Sequence, residues 1–369
     1  MLFFYTLQPL LSSPDIYMDY FKLKIIIVIF VLLNISCQSN SYKKLTQIER
    51  IIEFNPQIAD SIINSIPVPT TKKTQSLYYT SKTRIDHKIH RMPTTDSAII
   101  SVTKQYGIKN KSNRAAMAWY AQGCLYSDLS DDLNAIDAYI KAINLFPDTL
   151  SVYYTIAELS LGKHLLNQMS IDEAVHFFQC CVINSTRLGL SEIKNEALLN
   201  IGLCSTIKHD YNNALSIFYQ LSIDSIISEK HKRRIKLEIT KNDFYLNHDY
   251  EIGLETVNHY LHDNNNIIPI EWLKLKADIF FINEMHDSAF LYYNQYYLYG
   301  SDIISLLDSY DKLTQLTIKL GNNKEAIAYF NKYKALSDSI YKLNRLSLIK
   351  KDSTLSEIRL IQSEKNNDS

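Results

Sequence analysis

Two histidine pairs, His87/His90 and His259/His262, stand three residues apart, a spacing that puts both rings on one helix face. Each pair has an aspartate beside it, Asp86 or Asp263. A metal site needs three or four converging ligands, whereas two histidines on one exposed face read as solvated side chains. No metal ion is therefore expected. Cys124, Cys180, Cys181 and Cys204 all fall in helical stretches near packing positions, and adjacent Cys180 and Cys181 cannot face one partner. They read as small buried hydrophobes rather than as disulfides. Phosphate-cradling loops cluster glycines, but no two of the eight glycines here lie within ten residues of each other. Neither a Gly-x-Ser-x-Gly elbow nor a His-Glu-x-x-His pair is present. The expectation is a non-enzyme without a cofactor.

Composition limits the scaffold that carries these residues. Lys+Arg and Asp+Glu are both 39, so the formal net charge is zero. Binding to nucleic-acid phosphates calls for a basic excess, and no nucleic-acid partner is expected. The chain is 46% hydrophobic with 26 Tyr and 14 Phe, enough to fill an extended core, while 8 Gly and 8 Pro in 369 residues suit tandem helices. Polar turns recur roughly every 18–20 residues between stretches of helical periodicity. Asp131-Asp132, Ser170-Ile171-Asp172, Asp210-Tyr211-Asn212-Asn213 and Asn322-Asn323 are such turns. His-Asp recurs at 209–210, 248–249 and 286–287, where it is expected to precede the second helix of a hairpin.

One stretch, Ala116 to Pro147, carries a fixed pattern: Trp119, Gly123, Tyr126, Ala135, Tyr139, Ala142 and Pro147, broken at Gln122. Gly123 and Ala135 are small enough to let two antiparallel helices close, the aromatic rings fill the space around them, and Pro147 stops the second helix. This resembles the tetratricopeptide (TPR) motif. Its register continues through Ala135, Ala174, Ala214, Gly253, Ala289 and Ala326, at separations of 39, 40, 39, 36 and 37. Phe178 with Cys181, Phe218 with Leu221, Tyr293 with Tyr296 and Phe330 with Tyr333 repeat as its partners. Gly162, Gly202 and Ala277 hold the small position of the preceding helix, and Lys241 stands there in the weakest repeat. Upstream, Leu45–Phe54 with Pro56–Ile66, and Thr74–His90 with Thr95–Tyr106, read as two further hairpins. The resulting expectation is an all-α, right-handed superhelical solenoid of about eight TPR-like hairpins over 44–345, followed by a C-terminal helix and disordered tail at 346–369.

The N-terminal 37 residues read as an export segment. Lys22 and Lys24 precede an apolar run, Ile25 to Leu33, which is shorter than the about 18–20 residues that span a bilayer. It ends in Asn34-Ile35-Ser36-Cys37, which resembles a lipobox, with Asn34 where leucine is usual. That resemblance implies acylation of Cys37, removal of everything before it, a true start at Met18 and a short polar tether at 38–43. The chain as a whole resembles TPR lipoproteins of Gram-negative bacteria and the sensor region of membrane-tethered TPR regulators. The implied location is the cell envelope, lipid-anchored and facing the periplasm.

TPR arrays of this type bind along the face lined by the first helix of each hairpin. The resemblance places Met117, Tyr120 and Ser127 of one repeat, and Glu196 and Leu199 of another, on that face. Lacking the lysines and asparagines that clamp a carboxylate tail, this face suits a partner helix or extended peptide. Lys230-His231-Lys232-Arg233-Arg234 reads as a solvated basic face in a neutral chain. The leading expectation is a scaffold or adaptor with a protein or peptide partner. A sensor arm of an envelope signalling or transcription-regulatory system and a nutrient- or glycan-capture lipoprotein are the alternatives.

Overall fold

The structure, a computed structural model, describes residues 40–93, 96–109, 111–224, 226–262, 270–299 and 303–338. Cys37, the export segment and the 346–369 tail lie outside them, as does Asp263. Among the described residues there are sixteen helices and no strand, which matches the expected eight hairpins. None of these helices is long and apolar enough to cross a membrane. The chain divides after Asp131 into two compact units.

The first unit holds α1 (40–51), α2 (Pro56–Asn64), α3 (Lys72–Lys88), α4 (Ser97–Tyr106) and α5 (Asn113–Asp128). Leu45, Ile48 and Ile52 of α1 meet Ala59 and Ile63 of α2 and Leu77, Tyr78 and Ile85 of α3 in one buried cluster. Beside it Arg84, 1% exposed, donates to Glu53 at 2.7 Å, and Lys88 lies 2.7 Å from the other oxygen of the same carboxylate. Burial alone would raise the Glu53 carboxyl, but Arg84 and Lys88 outweigh it and hold the group below its ordinary range. A second cluster joins Ile99 and Val102 of α4 to Ala118, Ala121 and Leu125 of α5.

The second unit runs through α6 (Asp132–Leu145), α7 (Val152–Asn167), α8 (Ile171–Leu188), α9 (Ser191–Ile207), α10 (Tyr211–Ser222), α11 (Glu229–Asn247), α12 (Tyr250–His262), α13 (Ile270–Ile282), α14 (His286–Tyr299), α15 (Ile303–Lys319) and α16 (323–338). Each helix packs on the next. The spacing that repeats in sequence is explained by one contact. A Cβ placed on Gly162 would stand 2.6 Å from the ring of Phe178, and one on Gly202 would stand 2.6 Å from Phe218. Only glycine leaves room for a ring at that crossing. Ala277 and Tyr293, separated by the same sixteen residues, are both fully buried in one cluster. In the weakest repeat the arrangement reverses: Gly253 of α12 faces Phe244 of α11, and Lys241 turns aside to lie 3.6 Å from Glu238.

The turns inside the hairpins repeat as well. Ser130, Met169, His209, His248, Glu284 and Gly321 all adopt left-handed backbone angles, each five residues before the small residue that opens the second helix. In five of the six, the amide of the following residue donates to the carbonyl five residues back, as Ser170 does to Leu165 at 2.9 Å. This is the Schellman closure, and Asp210 adds an N-cap by accepting from the amide of Asn213. The third His-Asp pair falls elsewhere: His286 begins α14 itself, and Glu284 takes the left-handed site. The expectation that all three pairs share one place is thus corrected by two residues of register.

Two stability measurements test these contacts. Gly202→Ala should cost about 1–3 kcal/mol in urea unfolding, with Gly202→Ala/Phe218→Leu losing less than the two single changes together. Glu53→Gln, which leaves Arg84 buried beside a neutral group, should cost about 3 kcal/mol at neutral pH. Because the folded carboxyl titrates below its unfolded value of about 4.3, its contribution is present above that pH and lost as pH falls through the folded pKa. The gap between wild type and variant should therefore close in acid, and a gap that stays constant to pH 2 would contradict the ion-pair account.

Candidate ligand-binding face

Within the second unit the first helices also touch one another: α7 lies against α9, α9 against α11, and α11 against α13. At each step a polar pair joins them. Lys163 of α7 pairs with Glu196 of α9. Thr206 of α9 donates to Asn242 of α11 at 2.9 Å. Tyr245 of α11 donates to Asp278 of α13 at 3.2 Å, and Lys274 of α13 lies 2.9 Å from Asp308 of α15. The TPR register accounts for this order. Lys163, Asn242 and Asp278 each follow the small position of their helix, while Thr206 and Tyr245 sit one turn further on.

Asp278 is the junction of this ladder. Tyr293 of α14 donates to it at 2.5 Å and Lys274 lies 3.1 Å away, so its carboxylate has partners on both oxygens. Burial would lower the Lys274 ammonium, but Asp278 and Asp308 outweigh that and hold it above its ordinary range. Burial, with the adjacent Asp278 charge, pushes the hydroxyls of Tyr293 and Tyr245 up. Both therefore stay protonated as donors. The inner rungs are covered, with Asn242 fully buried and Thr206 nearly so. The charged ends are open: the side chains of Lys163 and Asp308 are 41% and 42% exposed, and Glu196 and Lys274 are partly so. Such an arrangement holds partly exposed ion pairs over a buried, hydrogen-bonded floor.

The residues singled out from the sequence distribute unevenly. Glu196 is a rung of the ladder and Ser127 is half-buried. Met117 and Tyr120 are buried, and Leu199 packs in a cluster with Phe218 and Ile235. Trp119, Gly123 and Tyr126 belong to the first unit, where Trp119 donates to the carbonyl of Gly107 at 3.0 Å. Ala135, Tyr139 and Ala142 are buried in the second unit, Tyr139 stacks on His164, and α6 ends two residues before Pro147. Gln122, the break in the motif, accepts from Thr103 at 2.5 Å and donates to Tyr126 at 3.2 Å, so a hydrogen-bonded side chain replaces the usual leucine. Lys163, Asn242, Tyr245, Lys274, Asp278 and Asp308 were not singled out. Extending the register of the signature repeat to every first helix would have found them.

His87 is not a freely solvated side chain as expected, since its Nδ1 lies 2.7 Å from Asp128, and His90 closes the turn after α3. Among the described residues no group of three or more His, Cys, Asp or Glu is placed to hold a metal ion. Cys124, Cys181 and Cys204 are buried and in no disulfide, Cys180 is half-buried, and burial pushes the Cys204 thiol up to about 11.

Two of the solved structures to which the backbone is similar are of one protein. One is the apo form of the quorum sensor NprR from B. thuringiensis, with a TM-score of 0.58, 13% identity, and coverage of 81% of this chain and 99% of that one. The fold is of the tetratricopeptide type. The other is NprR in complex with its cognate peptide NprX, with a TM-score of 0.51, 13% identity, and coverage of 84% and 82%. No protein-family model matches the chain, and no curated protein matches it in sequence.

The junction role of Asp278 is testable in unfolding experiments. Asp278→Ala, which strands two buried hydroxyls, should cost roughly 2–3 kcal/mol, and Tyr293→Phe roughly 1. The double variant should lose less than the sum, and strict additivity would mean the two groups do not share a bond.

Proposed function

We propose that this chain is a non-enzymatic, lipid-anchored TPR lipoprotein that binds a protein or peptide partner as a scaffold or adaptor at the cell envelope, facing the periplasm. The observation that carries the binding part is the ladder on the first helices. It presents the partly exposed ion pairs Lys163–Glu196 and Lys274–Asp308 over a rigid, hydrogen-bonded floor. An extended peptide can meet such a row with its own amides and side chains at low ordering cost, because the face is preorganised. NprR, similar in fold, is known in complex with a peptide. The anchoring part rests on Cys37 and the segment before it. Acyl chains at about 0.8 kcal/mol per buried methylene would hold the chain on a membrane.

A second reading, the sensor arm of an envelope signalling system, draws on the fact that NprR is itself a quorum sensor. In that case the bound peptide is the signal rather than a subunit.

One comparison tests both parts. Native envelopes containing wild type, Cys37→Ala or the pair Lys163→Ala/Lys274→Ala are crosslinked, fractionated and pulled down. The expected result is a defined protein or peptide partner with wild type, release of Cys37→Ala from the membrane fraction, and weaker capture by the lysine variant. Retention of Cys37→Ala in the membrane would refute the anchor. Co-purification of a glycan with no protein partner would refute the scaffold.

A further inference from the structure

The connection between α10 and α11 carries an arrangement that neither packing nor the peptide face explains. Ile223, which caps α10, is 84% exposed, and Ile226 is 55% exposed. Tyr219, one turn earlier on α10, is also exposed. These side chains are not outward through slack. Ile227 is buried beside Leu221 and Ile235, and Asp224 accepts from Asn195 and from the amide of Ile226, both at 2.9 Å. Asp224 and Ile227 are thus held, while Ile223 and Ile226 stand in solvent.

The basic run follows directly in sequence. Ser228 caps α11 by accepting from the amide of His231, and Lys232, Arg233, Arg234 and Lys236 then stand exposed on its opening turns. Lys232 closes the first turn of α11, where a cation opposes the positive end of the helix dipole. One carboxylate, Glu229, offsets Lys232 at 2.7 Å. The chain as a whole is neutral, so this is a local concentration of positive charge and not a sample of the average surface.

We infer that Tyr219, Ile223 and Ile226, with Lys232, Arg233 and Arg234, dock on a bilayer surface rich in anionic headgroups. The isoleucines would enter the boundary between headgroup and acyl chain, with Tyr219 at the interface and the cations of α11 among the phosphates. A polyanion such as nucleic acid would engage the cations but leave the isoleucines in water. Exposed isoleucines close in sequence to exposed cations match the apolar and anionic layers that a membrane surface offers together. The inference takes from the proposed envelope location only the presence of a bilayer, and the test supplies that bilayer directly.

The test uses the full chain with Ile223→Trp on vesicles of phosphatidylcholine, with or without a third of phosphatidylglycerol, and with brominated acyl chains as quenchers. The parent chain, whose Trp272 is buried and Trp119 half-buried, sets the background. Quenching of the new reporter should appear on the anionic vesicles and fall at least about fivefold with Lys232→Glu/Arg233→Glu/Arg234→Glu. It should persist with Cys37→Ala, which separates this docking from the lipid anchor. A reporter that stays unquenched would overturn the inference, as would one quenched equally on neutral vesicles. A blue shift without quenching, the sign of a protein covering the reporter, would overturn it too.

Discussion

The closeness of paired helices governs the second unit. At Gly162 and Gly202 the facing aromatic ring occupies the space where a Cβ would be, so the two backbones approach to a distance that no other residue permits. Phe178 and Phe218 are fully buried there, which converts one missing methyl into a large apolar contact. Where glycine is absent the same need is met differently. Ala277 accepts a tyrosine whose hydroxyl then needs an acceptor, and Asp278, the next residue, provides it. The buried carboxylate requires a cation in turn, and Lys274 supplies it from one turn earlier. Local crowding at one position thus leads stepwise to the polar junction of the ladder.

That junction joins packing to binding. A carboxylate with partners on both oxygens is held in place before any ligand arrives, and the exposed ammonium and carboxylates around it inherit that fixed geometry. In the first unit a comparable solution serves a different end. Glu53, Arg84 and Lys88 form an almost enclosed charge cluster at the edge of an apolar core, with little of it offered to solvent.

Much of this was legible in the sequence because it is periodic. The small residues at Gly162, Gly202 and Ala277, and their partners sixteen residues later, follow from spacing alone. So does the count of hairpins. What was not legible depends on pairs of helices that are not consecutive. Lys163 with Glu196, or Thr206 with Asn242, have no signature within one hairpin, because their meeting is set by how the first helices lie together. Single side-chain choices such as Gln122 are equally opaque, since the reason for it is Thr103 on the preceding helix. Phe330 shows a further limit: its position matches buried Phe178 and Phe218, yet it is 51% exposed on the last described helix. Periodicity assigns a role, and only a neighbour can fill it.

The left-handed turns bear on how such a chain changes over generations. Serine, methionine, histidine, glutamate and glycine all occupy the same turn site, because closure there relies on backbone amides and carbonyls and asks nothing of the side chain. A copied hairpin can therefore drift at that site without losing its shape, and each non-glycine occupant leaves strain that a later change to glycine can release. The array is free to diverge at its corners, while at the crossings a side chain on Gly162 or Gly202 would meet a ring at 2.6 Å and force it to shift.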